Sequence, residues 1–144
     1  MELIISTDKT KLDFSLIHKF LSEESYWAQN IPEEVLKRCI ENSICFGVYL
    51  DEKQIGFARV ISDYATFAYL ADVFILTPYR GKGISKKLVA FIKEHPALQG
   101  LRRWMLITAD AQGLYKQFGF AETAKPERVM EISLANPYSK TEQQ

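Results

Sequence analysis

The chain has little cysteine. Cys39 and Cys45 are the only two in 144 residues, which supplies neither a disulfide scaffold nor a zinc-site pattern. A reducing, cytoplasmic setting is therefore expected, and no metal site. Charge of one sign is not in excess either. Eighteen Lys and Arg balance eighteen Asp and Glu, and the sequence pI is about 6.7. A general nucleic-acid or anionic-membrane coat needs a net basic field, so neither partner is expected, although a local basic patch stays possible. Long hydrophobic runs are missing. The greasiest stretch, residues 67–76, contains Asp72 and falls short of the roughly 18–20 residues that span a bilayer. The first residues lack a basic n-region and a long apolar h-region, so no signal peptide is expected.

What is present is ordinary globular material, 47% apolar and 25% charged. The length suits one domain. It is expected over residues 1–135, followed by a polar tail over 136–144 that contains Pro137.

Local patterns give an element order. Leu3-Ile4-Ile5 suggests a short strand. Asp13 is placed to cap a helix carrying Leu16, Ile17, Phe20 and Leu21 at helical spacing. A second helix starts near Pro32, with Glu33 and Glu34 at its positive end and Val35, Leu36, Cys39 and Ile40 on its buried face. Residues 44–50, 54–61 and 67–76 read as three strands with short connections, an antiparallel meander. A helix with Ile84, Leu88, Phe91 and Ile92 on one face follows, stopped by His95-Pro96. Residues 103–108 form the next strand. Asp110 is placed to cap a short helix over 111–118, ended by Gly119. Phe120 and the alternating Met130, Ile132 and Leu134 suggest two closing strands. The order β-α-α-β-β-β-α-β-α-β-β is a mixed α/β fold rather than an alternating doubly wound one.

The most informative stretch runs from Asp72 through Tyr79-Arg80-Gly81-Lys82-Gly83-Ile84-Ser85. A strand enters a tight turn and a helix begins at once. Gly81 and Gly83 allow positive φ and close backbone approach. Free N–H groups at a helix start make an anion site, and Arg80, Lys82, Lys86 and Lys87 add charge. A phosphorylated ligand fits, while a plain turn with solvated lysines is the competing interpretation. Neither a P-loop nor the full dinucleotide fingerprint is present.

Arg80-Gly81-Lys82-Gly83-Ile84-Ser85 resembles the Arg/Gln-x-x-Gly-x-Gly/Ala signature of the GNAT-superfamily N-acetyltransferases, with Ser85 in place of the usual Gly or Ala. Leu114-Tyr115-Lys116-Gln117-Phe118-Gly119-Phe120 resembles the family's Tyr-x-x-x-Gly-Phe segment. The element order agrees, and the resemblance covers roughly residues 2–134. The stretches at 25–28 and 64–72 are similar to a bacterial group of general acetyltransferases with no assigned acceptor.

The resemblance implies acetyl-CoA as co-substrate, in a cleft where the fourth and fifth strands splay apart. Its pyrophosphate would rest on the backbone of Arg80, Gly81, Lys82, Gly83, Ile84 and Ser85. Its pantetheine arm would pair with main-chain groups of Val73 and Ile75. A backbone N–H near Val73 or Phe74 would serve the developing oxyanion. The implied chemistry is direct acetyl transfer to a primary amine, from a small molecule or a peptide. Tyr115 aligns with the family's general acid for the leaving thiolate, against a plain packing role. Asp72 is a candidate base, equally a structural hydrogen-bonding group; Asp63 and Glu24 are weaker candidates. Tyr26 and Trp27 would wall the acceptor site, or act as a lid or dimer contact. Asp110 is read as an N-cap rather than a cofactor contact. No partner is identified for His18 or His95. A catalytically silent acyl-CoA-binding module and a purely structural domain stand as rivals, and monomer and homodimer are both open.

Overall fold

A computed structural model describes residues 2–138. The strands β1 (Leu3–Ser6), β2 (Ile44–Leu50), β3 (Lys53–Ser62), β4 (Phe67–Ile75) and β5 (Arg103–Leu106) form one sheet in sequence order. The first four are antiparallel neighbours, as short connections require. β4 and β5 are parallel, joined through α3 (Ile84–Glu94). Helices α1 (Phe14–Lys19) and α2 (Glu33–Glu41) cover one face of the sheet. Helices α3 and α4 (Gln112–Lys116) cover the other.

Two cores result from strand alternation. On the α3 face, Phe46, Val48, Ala58, Val60 and Leu70 meet Leu88, Val89 and Ile92. On the opposite face, Cys45, Phe57 and Phe74 meet Ile17, Phe20, Leu21 and Leu36. Phe20, just past the end of α1, and Phe74 stack at 4.0 Å between ring centroids, tying the end of that helix to β4.

Helix starts follow the sequence. Asp13 Oδ1 accepts from the Leu16 N–H at 3.1 Å, a side-chain cap. Buried Gln54 accepts from the Asp13 N–H at 2.7 Å and donates to the Gly56 carbonyl at 3.0 Å, locking α1 to β3. α1 leaves through a π-helical turn, Phe20–Glu24, a feature often found beside functional sites.

Four expectations are corrected. Among the described residues there is no sixth or seventh strand: Phe120 and 130–134 lie outside any ladder. Every residue from 121 to 137 is exposed, so the alternation of Met130, Ile132 and Leu134 finds no sheet within the chain. α4 is shorter than 111–118, and Asp110 does not cap it; Ala111 holds the cap position and its N–H donates to Thr108 Oγ at 3.0 Å. Phe91 is exposed, touching Phe46 edge-on, and Val89 takes the core place beside Leu88. His18 has a partner: Nε2 lies 2.8 Å from the Ile31 carbonyl and must carry the proton, because a carbonyl only accepts. The expected tail falls mostly outside the described residues, at 139–144.

Candidate active site

The site begins with an extra residue. Arg59 faces Ala71 and Phe57 faces Phe74 across β3 and β4. Asp72 and Val73 together therefore stand opposite Ala58, the arrangement of a β-bulge. Asp72 takes φ 54°, a left-handed conformation that Asp tolerates better than most residues. The bulge switches faces. Leu70 points into the α3 core and Phe74 into the α1–α2 core, so Asp72 does not share one apolar face with both, as strict alternation predicts.

The bulge also bends β4 away from its neighbour. The β4–β5 ladder runs from Phe67↔Arg103 to Leu70↔Leu106 and ends. β4 continues to Ile75 while β5 stops at Leu106. The main chain of Val73, Phe74 and Ile75 thus has no β5 partner, and the strands are splayed.

Past Ile75 the chain makes one turn, Thr77–Tyr79, and enters the glycine loop. Gly81 has φ 77° and Gly83 φ 76°, and a Cβ at either would meet nothing within 4 Å. The loop lies open, its glycines required by φ rather than by crowding. Among the described residues, the N–H groups of Gly81, Lys82 and Gly83 reach no acceptor. Those of Ile84 and Ser85 open α3 and have none within the helix. Gly81, Gly83, Ile84 and Ser85, four of these five successive residues, border a cavity of about 160 Å³ with Ile75, Tyr79, Leu114 and Gln117. Arg80 turns back: its Nε donates to the Ile75 carbonyl at 2.8 Å. That bond ties the loop to β4 and occupies part of the Ile75 acceptor.

Tyr115 stands on α4 near the far side of the splay. It is 8% exposed, packs edge-on against Phe120 at 5.9 Å, and borders a cavity of about 320 Å³ with Trp104, Leu106, Ile107 and Gln112. Burial first, then Tyr26 and Asp110, push its phenol up to about 12. It is neutral at any physiological pH and can only donate or accept a hydrogen bond there.

The aromatic pair sits above. Ser25, buried at the end of the π turn, donates to the Leu21 carbonyl at 2.6 Å and accepts from the Ala28 N–H at 3.0 Å. This small knot aims Tyr26 and Trp27, which meet edge-on at 5.0 Å. The Tyr26 hydroxyl accepts from the Ala109 N–H at 3.1 Å, bridging to the segment after β5. Trp27 Nε1 donates to Asp72 Oδ1 at 2.7 Å. The other Asp72 oxygen accepts from Arg59 Nε at 2.5 Å, and Arg59 Nη1 donates to Ser43 Oγ at 3.1 Å. Burial is the largest influence and works to lower the Arg59 pKa, but the Asp72 charge and hydrogen bond, with smaller help from Cys39 and Cys45, together hold the guanidinium above its usual range.

Tyr26, Trp27, Asp72 and Tyr115 are thus gathered around one splay, with the glycine loop at its other end. The remaining candidates lie elsewhere. Asp63 binds the N–H groups of Ala65, Thr66 and Phe67 and the Thr66 hydroxyl, which holds its carboxyl well below the usual range. Glu24 is exposed at the end of the π turn. His95 Nδ1 accepts from the Ala97 N–H at 3.2 Å. Among the described residues, no group of three or more His, Cys, Asp or Glu gathers to hold a metal. No helix among them is long and apolar enough to cross a membrane.

Sequence reasoning missed Arg59 and Ser25. Arg59 had a signal, as a lone charge inside a strand beside another strand with a lone aspartate. Ser25 had none, because only the π turn makes its position special.

The parallel strand pair parts beside a run of free main-chain donors. The acetyltransferase (GNAT) family pattern matches residues 14–120, and the chain belongs to that family. It is an acetyl-CoA-dependent N-acetyltransferase. A Gibberella zeae protein named as an inferred acetyltransferase is 32% identical, over 93% of this chain and 88% of its own length. A crystal structure of a GNAT-family protein from Xanthomonas campestris pv. campestris is 49% identical, with a TM-score of 0.94 over 96% of this chain and 98% of that one. An acetyltransferase from Clostridium acetobutylicum, solved with acetyl-CoA, is 15% identical with a TM-score of 0.67 over 92% and 96%; it shares the fold.

Proposed function

We propose that the protein transfers the acetyl group of acetyl-CoA directly to a primary amine, on a small molecule or a peptide, within a ternary complex. The carrying observation is the splay itself, with main chain from Val73 to Ile75 that has no β5 partner leading into five free N–H donors and a buried phenol nearby. The pyrophosphate rests on the backbone of Arg80 to Ser85. The pantetheine arm pairs with Val73 and Ile75. The N–H of Val73 or Phe74 faces the thioester oxygen.

The amine nitrogen forms a bond to the acetyl carbon, the carbon–sulfur bond breaks, and one amine proton ends on sulfur. Tyr115 serves the leaving sulfur. A thiol has a pKa of about 8.5, well below the phenol's, so complete proton transfer from Tyr115 to a thiolate is uphill. Its role is hydrogen-bond donation to the developing charge, and the proton itself arrives from the amine through water. Of the two roles open to Asp72, the structural one is favoured. Both its oxygens are engaged, so it positions Trp27 instead of taking a proton. Tyr26 and Trp27 form the acceptor wall.

The test is calorimetric titration with acetyl-CoA, with dephospho-CoA and ATP as controls, followed by a thiol-release screen of amine acceptors. Selective binding with turnover is expected. Binding without turnover on any amine class would favour the silent binding module, and no binding at millimolar acetyl-CoA would refute the donor site.

A further inference from the structure

The lip of the cleft that carries Tyr115 is held by little. β5 ends at Leu106, and α4 spans only Gln112–Lys116. The hydrogen bonds around residues 108–111 are mostly local. The Ala111 N–H donates to the Thr108 hydroxyl, and the Gln112 amide reaches the Thr108 carbonyl at 3.3 Å. The N–H groups of Leu114 and Tyr115 return to the Ala111 carbonyl. Ile107 is 75% exposed, so burial does not anchor the stretch. Ala111, Leu114 and Phe118 pack on the α3-side core, but apolar packing has no preferred direction. Among the described residues, one hydrogen bond ties 108–111 to a distant part of the chain. The Ala109 N–H donates to the Tyr26 hydroxyl at 3.1 Å, across 83 residues of sequence.

Tyr26 is itself anchored on the opposite lip. The Ser25 knot fixes the turn from which it leaves. Its ring meets Trp27 edge-on, and Trp27 is bonded to Asp72 on the β4 bulge. A continuous path of contacts therefore runs from β4 through Asp72, Trp27, Tyr26 and Ala109 to the start of α4. It spans the splay that no ladder closes. The two phenols also feel each other. Burial is the main influence that raises the Tyr115 pKa, and Tyr26 is the next. Tyr115 is carried by α4, so where this lip stands sets where its hydroxyl stands.

We propose that Tyr26 is a positioning residue for Tyr115: its hydroxyl, bonded to Ala109, holds the α4 lip where the Tyr115 hydroxyl reaches the cofactor sulfur. The proposal rests on the reading of Tyr115 given above. It assigns the two halves of Tyr26 to different reactants. The ring faces the acceptor as part of its wall, and the hydroxyl acts on the donor side through Ala109. Hydrogen bonds weaken steeply with distance and angle, so a lip displaced by about 1 Å loses most of the contact.

Binding of CoA and of desulfo-CoA, which lacks the thiol, tests this without an acceptor. The ratio of their calorimetric Kd values reports the contact at sulfur. In the wild type, desulfo-CoA is expected to bind roughly two- to tenfold more weakly, the worth of one hydrogen bond. Tyr115→Phe should bring the ratio close to one. Tyr26→Phe keeps the ring, which is 57% exposed, and should remove most of the difference. Adding it to Tyr115→Phe should change nothing further. A purely structural Tyr26 would lower the thermal midpoint and leave the ratio alone. A wild-type ratio in Tyr26→Phe beside a collapsed one in Tyr115→Phe overturns the proposal alone. A wild-type ratio in Tyr115→Phe overturns the sulfur contact, and the proposal with it. A second readout needs no cofactor. Amide hydrogen exchange at Ala109 should quicken by about threefold or more in Tyr26→Phe, and unchanged exchange overturns the tie between the two lips.

Discussion

Arg59 Nε and Asp72 Oδ2 lie 2.5 Å apart, with the two side chains only 14% and 8% exposed. They come from neighbouring strands, and the pair is completed by the Trp27 indole N–H on the second carboxylate oxygen. The contact joins the bulge in β4, which opens the cleft, to the aromatic pair that covers it. The ion pair therefore reaches the proposed acceptor wall through Trp27.

Removing one partner leaves the other charged and largely desolvated. Arg59→Met is expected to cost on the order of 3 kcal/mol in urea unfolding. Asp72→Asn added to it returns most of that loss, because Asn tolerates the same left-handed backbone and still accepts from Trp27. If the pair acts by positioning, both variants raise the acceptor KM and leave the acetyl-CoA Kd near wild type. A kcat that falls alone, with unchanged KM, would instead assign Asp72 to proton transfer.

Tyr115→Phe removes one hydroxyl from a packed phenyl. The expected result is a kcat lowered by roughly 10–100-fold with little change in acetyl-CoA affinity. Stability gives a second readout. The folded-state pKa of Tyr115 is raised from about 10 to about 12, so its contribution is complete below pH 10 and is lost as pH rises to 12. The two-unit shift is worth on the order of 2–3 kcal/mol. Cys45, which burial pushes up to about 11, contributes alongside it. The difference between wild type and Tyr115→Phe isolates the tyrosine. A difference that stays flat between pH 10 and 12 would contradict its burial.

Much of this was legible beforehand. The meander, the glycine loop and the Asp13 cap follow from local spacing and turn chemistry, which act over a few residues. The losses have one kind of cause. The bulge at Asp72 is invisible to period-2 counting, since one extra residue reverses every later side chain. The closing strands failed for a related reason: alternation at 130–134 states that a strand wants a sheet, without saying whose. Asp110 looked like a cap because its type fits, yet Thr108 reached the Ala111 N–H first.

Ser25 is the least conspicuous of the site-shaping residues. Ser25→Ala leaves a cavity no larger than an oxygen but strands the Leu21 carbonyl and the Ala28 N–H in a buried turn. Expected destabilisation is about 1–3 kcal/mol. The Trp27 fluorescence maximum should move to longer wavelength as the aromatic pair loosens. Ser25→Cys, which keeps a weak donor, should fall between the two; an alanine variant with wild-type fluorescence would separate the knot from the aromatic pair.

The glycine loop offers a controlled comparison. Gly83 (φ 76°) and Gly100 (φ 73°) share a left-handed backbone, and neither has an atom within 4 Å of a built Cβ. Alanine at either position pays the same backbone strain, about 1–2 kcal/mol, so the thermal midpoints of Gly83→Ala and Gly100→Ala should drop together. Their ligand affinities should not. Gly83 stands where the N–H donors of the loop meet the start of α3, whereas Gly100 lies in the connection before β5. A methyl at 83 intrudes on any phosphate resting there, and acetyl-CoA should bind at least tenfold more weakly to Gly83→Ala while Gly100→Ala binds as wild type. Gly83→Trp should abolish binding. Equal affinities in the two alanine variants would mean that the loop is merely a turn, and the pyrophosphate would have to be sought on another part of the cleft.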